Sequence, residues 1–273
     1  MTARNFSLDE KEGHYILEYL CPEEKAFFKA RLFMKGSLIG KAMGDPALSR
    51  KAVASLSKEE TSQKKLLAPK QNHGTRILTE REEYCLPERP FADGVFLKST
   101  LYEGSLRFAD CVPVILASPV PHPWLMLLHS GFKGTVQNIV KNSLVNLDQK
   151  MNLDFNRIYA WIGPGISKTF YFRKDDEWSL LGQKELSSAH WQKEGERVYF
   201  DLPGAIETQL REKKLLEANI TMIPFCSYRD SKYCYSYRKN DKRERMFLLA
   251  SLSEKECSCH FHHSLCDNIK EGL

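Results

Sequence analysis

The sequence lacks several features that would assign a class of protein at once. Its 273 residues contain no run of about 18 or more apolar residues, so we expect no membrane-spanning helix and no membrane partner. The first twenty residues hold no apolar segment of the kind that a secretory signal peptide needs, and we expect a cytoplasmic protein. Internal repeats and low-complexity tracts are absent too, which argues against repeat architectures.

A strong charge excess is also missing. The formal net charge is +5, and the sequence pI is near 8.7. No long basic stretch is interleaved with aromatic residues as a nucleic-acid groove requires, so we expect no nucleic-acid partner. The mild excess fits a small anionic ligand. Hydrophobic residues make up 42% of the chain, which allows a sizeable core.

Eight cysteines are present, and in a cytoplasmic chain they indicate free thiols or metal ligands rather than disulfides. The last segment, residues 253–273, differs in composition from the rest and reads as a tail rich in cysteine and histidine. Its side chains suit a soft metal. A tail with incidental thiols explains the same composition.

Two apolar runs, VPVILA and WLMLL, stand close together in the middle of the chain and predict buried strands. The segment after them has apolar residues at helical spacing, as in an amphipathic helix. Strands and helices alternate without a strict βα order along the chain. The sequence therefore predicts an α/β or α+β fold with a mixed sheet.

Cys111 opens the first apolar run and His129 closes the second. Cysteine and histidine are the side chains that zinc prefers, and a catalytic zinc takes three protein ligands from separate elements. On local grounds His73, in the tight turn QNHG, is the best third candidate. The alternative is packing, since buried cysteines are usually small hydrophobes and a histidine at a strand end is usually hydrogen-bonded.

Several motifs in order give the chain a family resemblance. QNHG, ADCVPV and HSGFKG resemble the Q-V-H-G, A-D-C-x-P-V and H-A-G-W-R-G motifs of the YfiH-like, laccase-domain proteins, which have long been labelled polyphenol oxidases. The resemblance continues in the segments ADGVFL (92–97), IGPGISKTFY (162–171), FDLPGAIETQL (200–210) and CSYR…SYRKNDKRERM (226–246). It covers roughly residues 30–252.

This resemblance implies one zinc ion bound by His73, Cys111 and His129, with copper as the less favoured metal. It implies a single YfiH-like domain, an α+β sandwich of mixed sheets packed together with outer helices. We therefore divide the chain into an N-terminal extension (1–29), the laccase-like domain (30–252) and the tail (253–273).

The resemblance also implies purine nucleoside chemistry. The expected reactions are phosphorolysis of adenosine, inosine, guanosine or methylthioadenosine, and deamination of adenosine, so the partners are a purine nucleoside and phosphate. Bound zinc lowers the pKa of water to about 7, which suits deamination. We assign candidate catalytic roles to Asp110, Lys133, Arg238 and Arg245, and substrate stacking to Phe132 and Tyr171.

The sequence departs from the family motifs where substrate recognition is expected. Phe132 and Lys133 replace Trp-Arg, and lysine is a point charge where arginine offers a bidentate fork. Three alternatives remain open: a copper-dependent polyphenol oxidase, a cysteine hydrolase or amidase that edits peptidoglycan precursors, and a catalytically inactive metal-binding protein. A multicopper oxidase needs several His-x-His pairs, and this chain has one, at His260 and His262.

Overall fold

A computed structural model describes residues 5–57, 62–82 and 88–253, so the predicted tail lies almost wholly outside the described residues. Within these ranges the chain forms fifteen strands and six α-helices. The strands are β1 (Phe6–Lys11), β2 (His14–Tyr19), β3 (Phe28–Phe33), β4 (Lys65–Leu67), β5 (Ile77–Thr79), β6 (Gly94–Leu97), β7 (Tyr102–Phe108), β8 (Val112–Ser118), β9 (Trp124–Ser130), β10 (Tyr159–Ile162), β11 (Phe172–Lys174), β12 (Trp191–Glu194), β13 (Arg197–Phe200), β14 (Ile220–Met222) and β15 (Met246–Leu252). The helices are α1 (Ser37–Lys41), α2 (Pro46–Ser57), α3 (Phe132–Val136), α4 (Ile139–Met151), α5 (Glu177–Glu185) and α6 (Leu202–Glu212).

The strands form two six-stranded sheets and one small sheet. The first sheet has the order β1-β2-β3-β15-β7-β4, the second β14-β10-β8-β9-β6-β5, and the third β11-β13-β12. Both large sheets are mixed. In the first sheet, β4 pairs with β7 in parallel, whereas β7 pairs with β15 antiparallel. In the second sheet, β5 pairs with β6 in parallel, whereas β6 pairs with β9 antiparallel. This architecture confirms the predicted α/β sandwich of mixed sheets.

The two apolar runs form β8 and β9, which lie side by side in the middle of the second sheet. Every residue of both strands is buried. Strands buried on both faces read as continuous apolar runs because neither face meets water. The antiparallel register sets Pro113 opposite His129, so the start of β8 lies beside the end of β9. This pairing brings the segments that flank the two runs to one edge.

The second sheet separates two hydrophobic cores. Alternate side chains point to opposite faces of a strand, and Ile115 and Leu127 lie in the core against the first sheet. Val114 and Leu128 lie in the other core, which α3, α4 and α6 cover. The two sheets approach closely at Gly104, where a Cβ atom would lie 2.9 Å from the Cδ1 of Leu127.

The segment predicted as an N-terminal extension contributes β1 and β2 to the first sheet. β2 pairs with β3, and the Tyr19 hydroxyl donates a hydrogen bond of 3.0 Å to the carbonyl of Gly163. Its described residues are thus built into the sandwich, while the boundary at residue 29 stays a prediction. Among the described residues no helix is long and apolar enough to cross a membrane.

Candidate metal centre and ligand pocket

Two turns and the end of a strand meet at one edge of the sandwich. Cys111 stands in the connection between β7 and β8, and His129 lies near the end of β9. His73 lies in the turn that precedes β5, with φ at +62°. Their ligand atoms all lie within 4.8 Å of one another. The structure therefore brings together the three side chains that the sequence singled out, in a group that could hold a metal ion.

Asp93, directly before β6, connects two of these turns. Its carboxylate accepts hydrogen bonds from the backbone N–H groups of Asn72, His73 and Gly74, at 3.1, 2.9 and 2.7 Å. The same carboxylate lies 2.7 Å from Nδ1 of His129. Because Nδ1 of His129 is paired with Asp93, Nε2 is the ring nitrogen that could bind a metal ion. Asp93 therefore fixes the backbone around one ligand and the ring orientation of another, as groups behind metal ligands commonly do.

The electrostatics of this pair favour a neutral imidazole beside a carboxylate. Burial lowers the pKa of His129 below its ordinary value, although Asp93 opposes that shift. Burial raises the pKa of Asp93, but the hydrogen bonds from His129 and from the turn outweigh it, so the carboxyl pKa ends below its usual value. Neutral imidazole is the form of histidine that ligates metals.

Cys111 is half-buried as a residue, but its thiol lies within the site. Burial, followed by the nearby charges of Asp110 and Asp93, raises its pKa to about 12. Such a thiol is neutral at pH 7 and is a poor nucleophile by itself. A bound cation would deprotonate it.

Gly131 makes room for the group of three. A Cβ atom at this position would lie 2.8 Å from Sγ of Cys111 and 2.9 Å from Cδ2 of His73. These distances are shorter than carbon contacts tolerate, so any larger residue would push the side chains apart. The space around the ligands thus depends on a glycine directly after β9.

The residues fit a zinc ion. Zinc binds two imidazoles and one thiolate readily and leaves a fourth position for water or substrate in catalytic sites. Copper also accepts this donor set, usually with a weak axial methionine. The donor set and the hydrogen bond from His129 to Asp93 therefore suit a catalytic metal centre, and the ligand roles themselves stay a prediction.

A pocket of about 580 Å³ opens over these ligands, and we call it the metal pocket. Ligand sites for small molecules typically have volumes of about 300–1,000 Å³. Its described lining consists of Gln71, His73, Arg107, Ala109, Asp110, Cys111, His129, Tyr171, Tyr237, Arg238 and Arg245. Seven of the nine residues that the sequence singled out are thus gathered here.

Asp110 does not continue a strand, because its φ is +81° and it lies in the turn after β7. The strict strand alternation that would turn Asp110 and Cys111 to opposite faces therefore does not apply. Its buried carboxylate accepts hydrogen bonds from the Ser227 hydroxyl at 2.7 Å and from the backbone N–H of Arg238 at 2.8 Å. Asp110 thereby anchors the segment that carries Arg238 to the edge of the metal pocket.

Tyr171 and Arg238 form one wall of the metal pocket. The Arg238 guanidinium lies 5.0 Å from the centre of the Tyr171 ring and donates a hydrogen bond of 2.9 Å to the carbonyl of Phe172. Burial raises the pKa of Tyr171 to about 12, with the nearby Cys111 as the next cause. Tyr171 is therefore a neutral hydroxyl with an aromatic face, and Arg238 supplies a positive charge beside it.

Phe132 and Lys133 are absent from the described lining of the metal pocket. Phe132 is buried in α3 and contacts Phe200, with ring centres 4.7 Å apart. Lys133 is exposed, and its Nζ lies 4.5 Å above the Trp178 ring. Both residues lie in the first turn of α3, which begins at Phe132. The Phe132 ring does lie 6.1 Å from the ring of Tyr171, which lines the metal pocket. The roles proposed for Phe132 and Lys133 stay predictions.

Sequence reasoning missed several residues of the site. Asp93 lies in the motif ADGVFL, directly before the buried strand β6. An acidic residue at that position is the sequence feature that could have identified it. Gln71, Arg107 and Tyr237 carried no spacing signal, because distant segments bring them together.

With this geometry in view, comparison with known proteins places the chain in a family. The profile of the family described as "Multi-copper polyphenol oxidoreductase laccase" matches residues 39–253, well over half of the chain. The chain belongs to this laccase-like family, which confirms the resemblance drawn from the motifs.

Curated relatives carry a different name. The chain is 30% identical over 152 residues to "Purine nucleoside phosphorylase RC0672" of Rickettsia conorii, covering 54% of this chain and 60% of that protein. It is 27% identical over 165 residues to "Purine nucleoside phosphorylase YlmD" of Bacillus subtilis, covering 59% of each. The matched region thus spans about three fifths of the length of these relatives.

Solved structures share the fold. YlmD from Geobacillus stearothermophilus is similar over 92% of this chain and 100% of its own, with a TM-score of 0.76 and 21% identity. The Bacillus licheniformis protein YfiH gives a TM-score of 0.77 at 18% identity, with the same coverage. At these identities the likeness establishes the architecture alone.

Proposed function

We propose that this chain is a cytoplasmic, zinc-dependent purine nucleoside phosphorylase. The observation that carries the proposal is the group of His73, Cys111 and His129 at the base of a pocket whose walls hold aromatic and cationic side chains. The names of the curated relatives support the same reaction. The substrates we propose are adenosine, inosine, guanosine and methylthioadenosine, with phosphate as the second substrate.

In phosphorolysis a phosphate oxygen bonds to C1′ of the ribose while the bond from C1′ to the purine nitrogen breaks. The electron pair of that bond leaves with the purine, which takes up a proton, and the product sugar keeps the phosphate. Zinc, when bound, supplies Lewis-acid stabilisation of negative charge. The role of His73, Cys111 and His129 is to hold it, and Asp93 keeps His129 in the ligating orientation.

The remaining lining residues act on the substrate. Tyr171 offers an aromatic face for the purine, and Arg238 and Arg245 offer positive charge to phosphate. Asp110 is buried at the pocket wall, where a carboxylate can carry a proton or accept a hydrogen bond from the substrate. These assignments give each predicted lining residue one role in binding or proton transfer.

Adenosine deamination is a second activity that we propose for the same pocket. The supporting observation is a carboxylate, Asp110, beside a group of two histidines and one cysteine. Zinc deaminases combine ligands of this kind with an acid that transfers protons. Copper oxidase chemistry has less support, because the metal pocket gathers a single group of three ligands within the described residues.

The test is turnover of inosine and adenosine with phosphate, followed by chromatography of the free base and of inosine formed from adenosine. Wild type loaded with zinc is compared with Cys111→Ser, and Cys21→Ser serves as the matched control because Cys21 lies outside the metal pocket. We expect free base from wild type and from the control, and a loss of about 100-fold or more in Cys111→Ser, since ligand removal abolishes the metal's stabilisation.

Release of base that is equal in Cys111→Ser and wild type would contradict the metal-dependent mechanism. Binding of zinc without any turnover of purine nucleosides would contradict the proposed substrates. Inosine formed from adenosine without phosphate would identify the deaminase reaction separately.

A further inference from the structure

A second pocket, of about 400 Å³, lies next to the metal pocket, and we call it the cationic pocket. Its described lining holds five cationic side chains and no carboxylate. The lining residues are Met43, Gly44, Lys70, Gln71, Arg89, Arg107, Arg243 and Arg245. So many like charges around one cavity repel each other and raise the local concentration of anions.

The two pockets share a wall. Gln71, Arg107 and Arg245 line both of them. The side-chain amide of Gln71 donates a hydrogen bond of 2.8 Å to the backbone carbonyl of Arg107 and accepts one of 2.9 Å from its N–H. These two hydrogen bonds hold the shared wall in place, so the boundary between the two pockets is already formed when a ligand binds.

A glycine allows the two shared arginines to approach each other. A Cβ atom at Gly44 would lie 3.1 Å from Cγ of Arg245 and 3.6 Å from Cγ of Arg107, and Gly44 has φ at +74°. Arg107 is buried, with 9% of its surface exposed, so its charge is partly withdrawn from water. Its guanidinium donates a hydrogen bond to the backbone carbonyl of Pro69.

Within the described residues, two cations of the cationic pocket, Lys70 and Arg89, contact an aromatic ring and backbone carbonyls. Lys70 Nζ lies 5.0 Å above the Phe91 ring, and Arg89 reaches the carbonyls of Ala68 and Pro69 at 3.4 and 3.5 Å. In the part of the chain that the structure describes, neither forms a salt bridge with an acidic side chain. No acidic side chain of the described residues therefore neutralises these two charges, which favours an anionic ligand.

We propose that the cationic pocket binds a phosphoryl group, which the shared wall places beside the metal pocket. A phosphoryl group has the charge and the several oxygens that a cluster of arginine and lysine recognises. The phosphoryl group comes either from inorganic phosphate or from a 5′-phosphorylated purine nucleoside whose base lies in the metal pocket. The inference deepens the proposed function and rests on it for what occupies the metal pocket.

The test is isothermal titration calorimetry of the zinc-loaded protein, first with inorganic phosphate and then with adenosine and adenosine 5′-monophosphate. The variant Lys70→Gln/Arg89→Gln removes two cations of the cationic pocket that lie outside the metal pocket. The control Lys150→Gln/Lys184→Gln removes two exposed charges from α4 and α5. Melting temperatures of all three proteins establish that they are folded.

We expect the variant to bind phosphate about tenfold or more weakly than wild type and control, because charge-assisted hydrogen bonds are about twice as strong as neutral ones. If adenosine 5′-monophosphate binds but inorganic phosphate does not, and the variant weakens binding of the monophosphate while adenosine binds the variant as it binds wild type, a nucleotide supplies the phosphoryl group. Equal affinities in variant and wild type, or no binding of either anion, would overturn the proposal. Because binding is measured without turnover, this result stands apart from success or failure of the proposed reaction.

Discussion

Asp93 is the residue that joins two of the three ligand candidates into one unit. A single carboxylate receives three backbone N–H groups of the turn 72–74 and Nδ1 of His129. No other side chain can replace it easily, since the arrangement needs a charged acceptor of this length in a buried position.

We expect Asp93→Asn to lower the zinc affinity by about 10–100-fold, as loss of a group behind a metal ligand typically does. The asparagine amide has the size of the carboxylate, but only its oxygen accepts hydrogen bonds, because its nitrogen donates. The backbone N–H groups of the turn and Nδ1 of His129 therefore compete for one oxygen. The measurement is competition with a chelator of known zinc affinity. Asp175→Asn, at an exposed ion pair with Lys193, is the control. Equal affinity in Asp93→Asn and wild type would show that Asp93 does not orient the ligand.

Gly131 leads to a second prediction on zinc binding, for which Gly134 in the same segment is a matched control. A Cβ atom at Gly131 would meet Cys111 and His73 within 3.0 Å, whereas at Gly134 it would meet nothing closer than 3.4 Å. We expect Gly131→Ala to weaken zinc binding by about tenfold, equivalent to about 1.4 kcal/mol. Gly134→Ala should bind zinc like wild type. Loss of zinc affinity of the same size in both variants would point to the helix rather than to crowding of the ligands.

At the scale of elements, the apolar runs predicted β8 and β9 correctly, because a strand buried on both faces has no other composition available to it. The sequence also suggested Cys111 and His129 as ligand candidates, since they lie at the ends of these strands. The neighbours β6 and β10, and the meeting of the turn 71–74 with the end of β9, depend on contacts distant in sequence. Local patterns carry no information on such pairings.

Helix α3 is a second feature that the sequence pattern does not predict. The resemblance to a family motif placed Phe132 and Lys133 next to a ligand in sequence, and that predicted a position near the substrate. In α3, Phe132 is buried and Lys133 is exposed, and neither is in the described lining of the metal pocket. Adjacency in sequence fixed the distance between backbones here but not the direction of the side chains.

The packing of the two large sheets leads to a stability prediction. Leu127 is fully buried between them, and its removal would leave a cavity beside Gly104. We expect Leu127→Ala to reduce the free energy of unfolding by about 2–5 kcal/mol. Leu101→Ala, at a side chain that is 69% exposed, should change it by less than about 0.5 kcal/mol. Denaturant unfolding measures both, and equal effects would contradict the assigned sheet interface.

The loop after β2 is tied to the second sheet by Glu23, which gives a pH-dependent prediction. The Tyr159 hydroxyl donates to its carboxylate at 2.5 Å, and Arg157 lies 2.9 Å away. The hydrogen bond from Tyr159, aided by Arg157, holds the pKa of Glu23 below its usual value. A lowered folded-state pKa stabilises the protein above the unfolded-state pKa and loses that effect as the pH falls through the folded-state value.

We therefore expect Glu23→Gln to be less stable than wild type by about 1 kcal/mol at pH 7. The difference should disappear as the pH drops from about 4 through the lowered pKa. Unfolding curves from pH 7 down to the acid range test it. A difference that is independent of pH would mean that the charge of Glu23 contributes nothing.

In the whole molecule, the candidate metal centre lies where two turns and the end of a strand converge. The turn 71–74, the connection after β7 and the end of β9 supply one ligand candidate each. A fold that holds all three segments in place therefore presents the metal pocket and the cationic pocket on one continuous surface. The proposed reaction needs both a metal and an anion at this surface.

The measurement that tests this account most directly is the metal content of the purified protein by mass spectrometry, with wild type beside Cys111→Ser. The account predicts about one zinc ion per chain in wild type and loss of zinc in the variant, since a catalytic zinc takes three protein ligands. Wild type without zinc, even after incubation with the metal, or zinc that is retained equally in the variant, would contradict the assignment of His73, Cys111 and His129 as its ligands.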